Sequence, residues 1–226
     1  MMISMELENL PINLGTATLS NQSPPVGGFK KIIIVGAGRT GTTAITAVIQ
    51  ELGFFTGSSE ASLENDELEN LLSSQQYSLL LDKLSEMADL HDRVVWKSTK
   101  LISNVHEDFV SSLPLDIGIV IMFRDILATA VRNNIVNDIE LIQGLTTNIK
   151  ANRKILQFIQ SNQNHKLLIS YEKLMTSTPE VAKSIADFCG DIDPALLASA
   201  ANKITTKPIK YLKTAADFIE KRRKKQ

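Results

Sequence analysis

Between Gly36 and Thr43 the chain reads Gly-Ala-Gly-Arg-Thr-Gly-Thr-Thr, which sets three glycines around one cation, Arg39, and three hydroxyls, Thr40, Thr42 and Thr43. Glycines let a backbone wrap closely around an anion, and its amides then point inward. A helix starting at the end of such a loop adds the positive end of its dipole. The expected chemistry is the holding of a phosphate-like group. Two elements must position it. Ile32-Ile33-Ile34-Val35 is a run of β-branched residues, as in a strand buried on both faces. Ile45, Val48, Ile49 and Leu52 have the spacing of an amphipathic helix.

The spacing from Gly36 to Gly41 matches the phosphate loop of nucleotide hydrolases, in which Gly-Lys-Ser/Thr follows a glycine after four residues. Here Thr42 occupies the lysine position, and the cation lies three residues earlier at Arg39. A group that reaches the terminal phosphates of ATP is therefore missing. A P-loop kinase or other NTP-binding protein remains the alternative, disfavoured by this exchange.

Further apolar strands are expected at Arg93–Lys97, Ile117–Phe123 and Lys166–Ser170. Helices are expected over Glu67–Leu90 (one or two), Asn104–Leu113 and Glu140–Gln160, with an alanine-rich helix after Asp125 and three more helical segments after Ser170. Short apolar strands separated by helices predict an α/β, three-layer P-loop fold. Its central, mainly parallel sheet would have about four to five strands, with helices on both faces. In such sheets ligands gather beyond the carboxyl ends of the strands. Arg39, Lys97 and Arg124 all follow such ends.

At 226 residues the chain is expected to form one domain, over 30–226, behind a poorly ordered extension at 1–29 that allows a short docked segment. Its net charge of −1 gives no argument for nucleic acid. No apolar run reaches the roughly 18–20 residues of a membrane span, and the N-terminus does not read as a signal peptide. One cysteine, Cys189, excludes an internal disulfide; it fits a reducing, cytoplasmic setting and is expected to pack in the core. The basic run Lys221–Lys225 reads as a solvated helix end, with an acidic partner or an anionic membrane surface open as alternatives.

Gly38-Arg39-Thr40-Gly41-Thr42-Thr43 resembles the 5′-phosphosulfate loop of sulfotransferases. Ile119 to Asp125 resembles their strand ending in Arg-Asp-Pro, and Ser170-Tyr171-Glu172-Lys173-Leu174 with Phe188-Cys189-Gly190 is similar to their late Tyr-Glu-Asp-Leu and Phe-Leu-Gly elements. Trp96-Lys97-Ser98-Thr99 is similar to a lysine element found in several members. The resemblance spans about Lys30 to Gly190. It implies use of 3′-phosphoadenosine 5′-phosphosulfate (PAPS), release of PAP, no required metal, and transfer of a sulfuryl group to a hydroxyl or amine of a small molecule or glycan.

Carried over residue by residue, the resemblance assigns Gly38, Arg39, Thr40, Gly41, Thr42 and Thr43 to the donor's 5′ end. It assigns Arg124 to the 3′-phosphate, and Lys97 and Arg39 to charge on the transferred and departing groups. Glu67 is the expected base, with Glu64 and Glu60 behind it; a solvated helix start is the alternative for this acidic run, and His91 and His106 are further possible bases. Tyr171 and Glu172 are expected in structural roles. The sequence departs from the family pattern at Ile126, which replaces proline, and at Arg132, where serine is usual. Arg132 either grips the 3′-phosphate or projects into solvent. The glycine- and lysine-containing segment that covers the donor in many animal members is not apparent after Gly190. A member that binds nucleotide without catalysis is a third reading; the oligomeric state is left open.

Overall fold

A computed structural model describes residues 15–20, 24–58, 62–103, 107–190 and 192–204. Among them the sheet has five strands: β1 (Thr16–Leu19), β2 (Lys31–Gly36), β3 (Val94–Ser98), β4 (Ile117–Phe123) and β5 (Lys166–Ser170), in the order β1-β5-β4-β2-β3. All pairings are parallel except β1 against β5. The edge strand β1 lies within the stretch expected to be a poorly ordered extension. Thr16–Leu19 is docked there by ladder pairing to Lys166–Ile169, and Phe29 is buried against Phe188.

The helices are α1 (Thr42–Glu51), α2 (Asp66–Ser73), α3 (Tyr77–His91), α4 (Lys100–Ser103), α5 (Glu107–Ser111), α6 (Ile126–Asn137), α7 (Leu141–Ser161), α8 (Tyr171–Thr176), α9 (Thr178–Cys189) and α10 (Pro194–Asn202). They cover both faces of the sheet, because β2 alternates. Ile32 and Ile34 join Ile45, Ile49 and Val181 on one side, while Ile33 and Val35 join Leu68, Leu84 and Phe158 on the other. This is the α/β architecture expected from the strand and helix patterns.

Some boundaries differ from expectation. The apolar run after Glu67 is two helices, because Gln75 takes a left-handed φ of 59° between them and neither helix continues through it. The helix expected over Asn104–Leu113 is described only over Glu107–Ser111, and a short α4 precedes it. Asp125 and Glu140 begin α6 and α7 by accepting the Ala128 and Gln143 amides at 2.6 and 2.8 Å. No helix among the described residues is long and apolar enough to cross a membrane.

Strand order matters for the site. From β2 the chain goes to β3 on one side and then crosses over to β4 on the other. The crevice at such a switch point lies beyond the carboxyl ends of the two strands that flank it. Gly36 pairs in register with Met122 there, so the loop after β2 and Arg124 after β4 leave the sheet side by side.

Candidate functional site

The loop between β2 and α1 is built by its own geometry. The Thr40 amide and hydroxyl both donate to the Ala37 carbonyl, at 3.2 and 2.7 Å. Arg39 and Gly41 take left-handed φ values of 70° and 97°. Gly41 also has no room for a side chain, since a Cβ there would lie 2.4 Å from the Tyr171 ring. Gly41 is the N-cap of α1, and no side chain caps the helix. The first turn of α1 therefore opens on a cavity of about 430 Å³ rather than on a capping group.

That cavity is lined by Gly38, Arg39, Gly41, Thr42 and Thr43 from the loop and α1, with Lys97, Thr99, Glu64, Arg132 and Tyr171 around them. Met175, Lys203 and Ile204 close one wall. Its charged lining is four cations (Arg39, Lys97, Arg132, Lys203) against one carboxylate, Glu64. That balance suits an anion. The volume lies within the range of small-molecule pockets.

Lys97 is brought in by register, opposite Ile34 one strand away from the loop. Only 3% of its side chain is exposed. Its ammonium donates to Thr43 Oγ1 at 3.2 Å and to the Ser62 carbonyl, and it pairs with Glu64 Oε1 at 3.0 Å. A buried ammonium needs this many acceptors, because a stripped charge is costly.

Arg124 stands behind the loop. Its Nη1 donates to the Arg39 carbonyl at 2.9 Å, its guanidinium lies 4.3 Å from the Tyr171 ring centroid, and its buried Nε has no hydrogen-bond partner. Burial pushes its pKa down, and the Arg132 cation adds to that, while Tyr171, Glu172 and Asp125 oppose it. The group stays charged, as guanidinium does in proteins. Glu172 accepts the Asp125 amide at 3.0 Å and so ties β4 to α8.

The structure brings most of the expected residues together and separates one. Gly38, Arg39, Gly41, Thr42, Thr43, Lys97 and Arg132 line a single cavity; Thr40 points back to Ala37, and Arg124 braces the wall. Glu67 is not in the lining. Its side chain is 60% exposed and faces Lys83 at 3.6 Å, because the α2 face that Glu67 occupies turns toward α3. Glu64, one turn earlier, is the carboxylate in the cavity. His91 stacks on Phe55 and does not line the cavity. Glu60, His106 and Lys221–Lys225 lie outside the described residues.

Tyr171, Thr99, Met175, Lys203 and Ile204 line the cavity without having been expected there. Tyr171 and Thr99 carried a signal, since each immediately follows or closely trails a strand end. Lys203 and Ile204 carried none. They arrive because α10 packs on α1, where Glu51 accepts from Ser199 and pairs with Lys203 at 3.1 Å.

No protein-family model matches the chain, and no curated protein matches it. Among solved structures it is similar to the sulfotransferase domain from the Synechococcus PCC 7002 olefin synthase. The TM-score is 0.48 and the identity 16%, over 87% of this chain and 98% of that one.

Proposed function

We infer that the chain is a sulfotransferase that takes PAPS as donor and a hydroxyl or amine of a small molecule or glycan as acceptor. The observation that carries this reading is the cationic cavity formed by the phosphate loop without its lysine, with Lys97 supplied from the neighbouring strand. The residues fit the donor chemically. PAPS is a dianion-bearing nucleotide with phosphate at both ends of one ribose. The loop amides and Arg39 suit its 5′ end, while Arg132 in the lining and the half-buried Arg124 behind it suit a 3′-phosphate. When bound, PAPS supplies an activated sulfuryl group whose departure leaves a phosphate.

The chain's own part is positioning and charge. Loop amides at the α1 N-terminus hold the departing phosphate oxygens, where their dipoles are fixed before reaction. Lys97 neutralises charge as it develops, and for that its ammonium exchanges the Glu64 and Ser62 oxygens for those of the ligand. Glu64, released and still in the cavity, accepts the acceptor's proton at a carboxylate oxygen. Glu64 thus takes the role first expected of Glu67. No metal is assigned a part.

A second reading is favoured by one observation. The Lys97 ammonium beside Thr43 sets a cation near the position of the missing loop lysine, as an NTP-binding protein would need. Calorimetry with PAP and separately with ATP–Mg²⁺ distinguishes the two. PAP binding without response to ATP–Mg²⁺, followed by sulfate transfer to an acceptor panel, is the expected result. Tight ATP–Mg²⁺ binding with none to PAP would overturn it. PAP binding with no transfer to any acceptor would leave a non-catalytic nucleotide-binding protein.

A further inference from the structure

Two dipeptides leave neighbouring strand ends and interlock. Phe123 of β4 and Ser170 of β5 are partners in the parallel ladder, so Arg124-Asp125 and Tyr171-Glu172 emerge side by side. The Arg124 guanidinium lies 4.3 Å from the centre of the Tyr171 ring, and Glu172 Oε1 accepts the Asp125 amide at 3.0 Å. Glu172 is itself steadied by Ser170, whose hydroxyl donates to Oε2 at 3.2 Å. A planar guanidinium laid on an aromatic face leaves its in-plane N–H groups able to donate sideways.

The phosphate loop rests on this stack at two points. Arg124 Nη1 donates to the Arg39 carbonyl at 2.9 Å, and the Tyr171 ring lies against Gly41, where a Cβ would come within 2.4 Å of it. These are the two loop residues with left-handed φ, 70° at Arg39 and 97° at Gly41. A residue with a side chain is strained there and stays only when its surroundings hold it. The hold on Arg39 comes from a residue 85 positions away.

We propose that Tyr171 and Arg124 are positioning residues that mould the phosphate loop. The ring orients the guanidinium, and the two together fix Arg39 and Gly41 in the turn that aims the first amides of α1 into the cavity. This deepens the reading of the loop as an anion site and rests on it. Arg124 is not in the cavity lining, so its effect on a group held by the loop runs through the Arg39 carbonyl. Tyr171 does line the cavity, and direct contact with a nucleotide has to be separated from its effect on the loop. Inorganic pyrophosphate makes that separation, because it carries neither base nor ribose.

Titration calorimetry of the full chain with pyrophosphate, and deuterium uptake of the unliganded chain, test this together. Tyr171→Phe keeps the ring and should match wild type in both. Tyr171→Leu keeps apolar bulk but offers Arg124 no aromatic face, and should weaken pyrophosphate roughly tenfold. Arg124→Lys keeps the charge but loses the fork that donates to Arg39, and should weaken it by a similar factor. Uptake over residues 36–43 should rise in Tyr171→Leu and Arg124→Lys, while α3, on the other face of the sheet, stays at the wild-type level. Circular dichroism checks folding, and should Tyr171→Leu not fold, Arg124→Lys carries both measurements. Wild-type uptake over the loop in the folded variants overturns the proposal, as does an unchanged pyrophosphate affinity. So does a loss in Tyr171→Phe equal to that in Tyr171→Leu, which would assign the effect to the hydroxyl. A wild-type chain that binds no pyrophosphate overturns the anion reading of the loop, and deuterium uptake then decides the positioning by itself.

Discussion

Lys97 and Glu64 form an ion pair at 3.0 Å in which the lysine is almost wholly buried and the carboxylate is about a third exposed, at 36%. That asymmetry governs what each substitution does. Lys97→Ala leaves Glu64 able to rehydrate, so the cost falls below the 3–5 kcal/mol of breaking a fully buried pair. A loss of about 1–3 kcal/mol in urea unfolding is expected. Turnover should fall more than PAP affinity, since the contact strengthens as charge develops. Equal losses in both would remove Lys97 from the transition state.

Glu64→Gln keeps a hydrogen-bond acceptor for Lys97 but no base. Stability should change by less than about 1 kcal/mol, PAP affinity should hold, and turnover should fall roughly 10²–10⁴-fold. Glu67→Gln, in a residue paired with Lys83 outside the cavity, should leave turnover unchanged. The reverse pattern would return the base to Glu67.

Arg39 combines a charge with a left-handed φ of 70°, and two substitutions separate them. Arg39→Ala keeps a Cβ at that φ, so it should leave the backbone strain unchanged and lose roughly ten- to a hundredfold in PAP affinity from the cation. Arg39→Gly should lose the same affinity but be more stable than Arg39→Ala, by up to about 1 kcal/mol, because glycine accepts that φ. Unchanged PAP affinity in Arg39→Gly would show that the guanidinium touches no donor phosphate.

Arg132→Ala should weaken PAP about ten- to a hundredfold and leave adenosine 5′-phosphate unaffected, since the two ligands differ in the 3′-phosphate. Titration calorimetry of both ligands reads the difference. Equal weakening would place Arg132 at the 5′ end.

Burial pushes the Cys189 thiol up to about 12. The folded protein should therefore resist alkylation at pH 8–9 and react only after unfolding, where the thiol returns to about 8.5. The sign for stability follows. Between about pH 8.5 and 12 only the unfolded state ionises this thiol, so stability falls as pH rises, by up to about 1.4 kcal/mol per pH unit. Cys189→Ala should show a shallower fall over that range. Fast alkylation of the native protein would contradict the buried placement.

The local parts of the site were legible in order along the chain. Ile32–Val35 could only be a strand buried on both faces, and the glycines after it could only turn tightly. The position of Arg39 relative to Thr42 was enough to separate this loop from the lysine-containing kind. Lys97 and Arg124 were legible because a parallel sheet puts all its strand ends on one edge. Which carboxylate enters the cavity was not legible. Glu64 and Glu67 are three residues apart in one acidic run, and the distinction is made by the turn of α2 against α3 and by the reach of Lys97.

By itself the sequence determined the buried strands, the helix that follows the loop, and the tight glycine turn between them, since these depend on φ preference, side-chain volume and short-range periodicity. Only the tertiary structure decided that β1 closes the sheet edge, that Tyr171 fills the space a Cβ at Gly41 would need, and that Lys203 and Ile204 wall the cavity. Those depend on contacts between residues up to about 150 positions apart, where loop closure and packing of whole helices choose the neighbours and no local pattern records the choice.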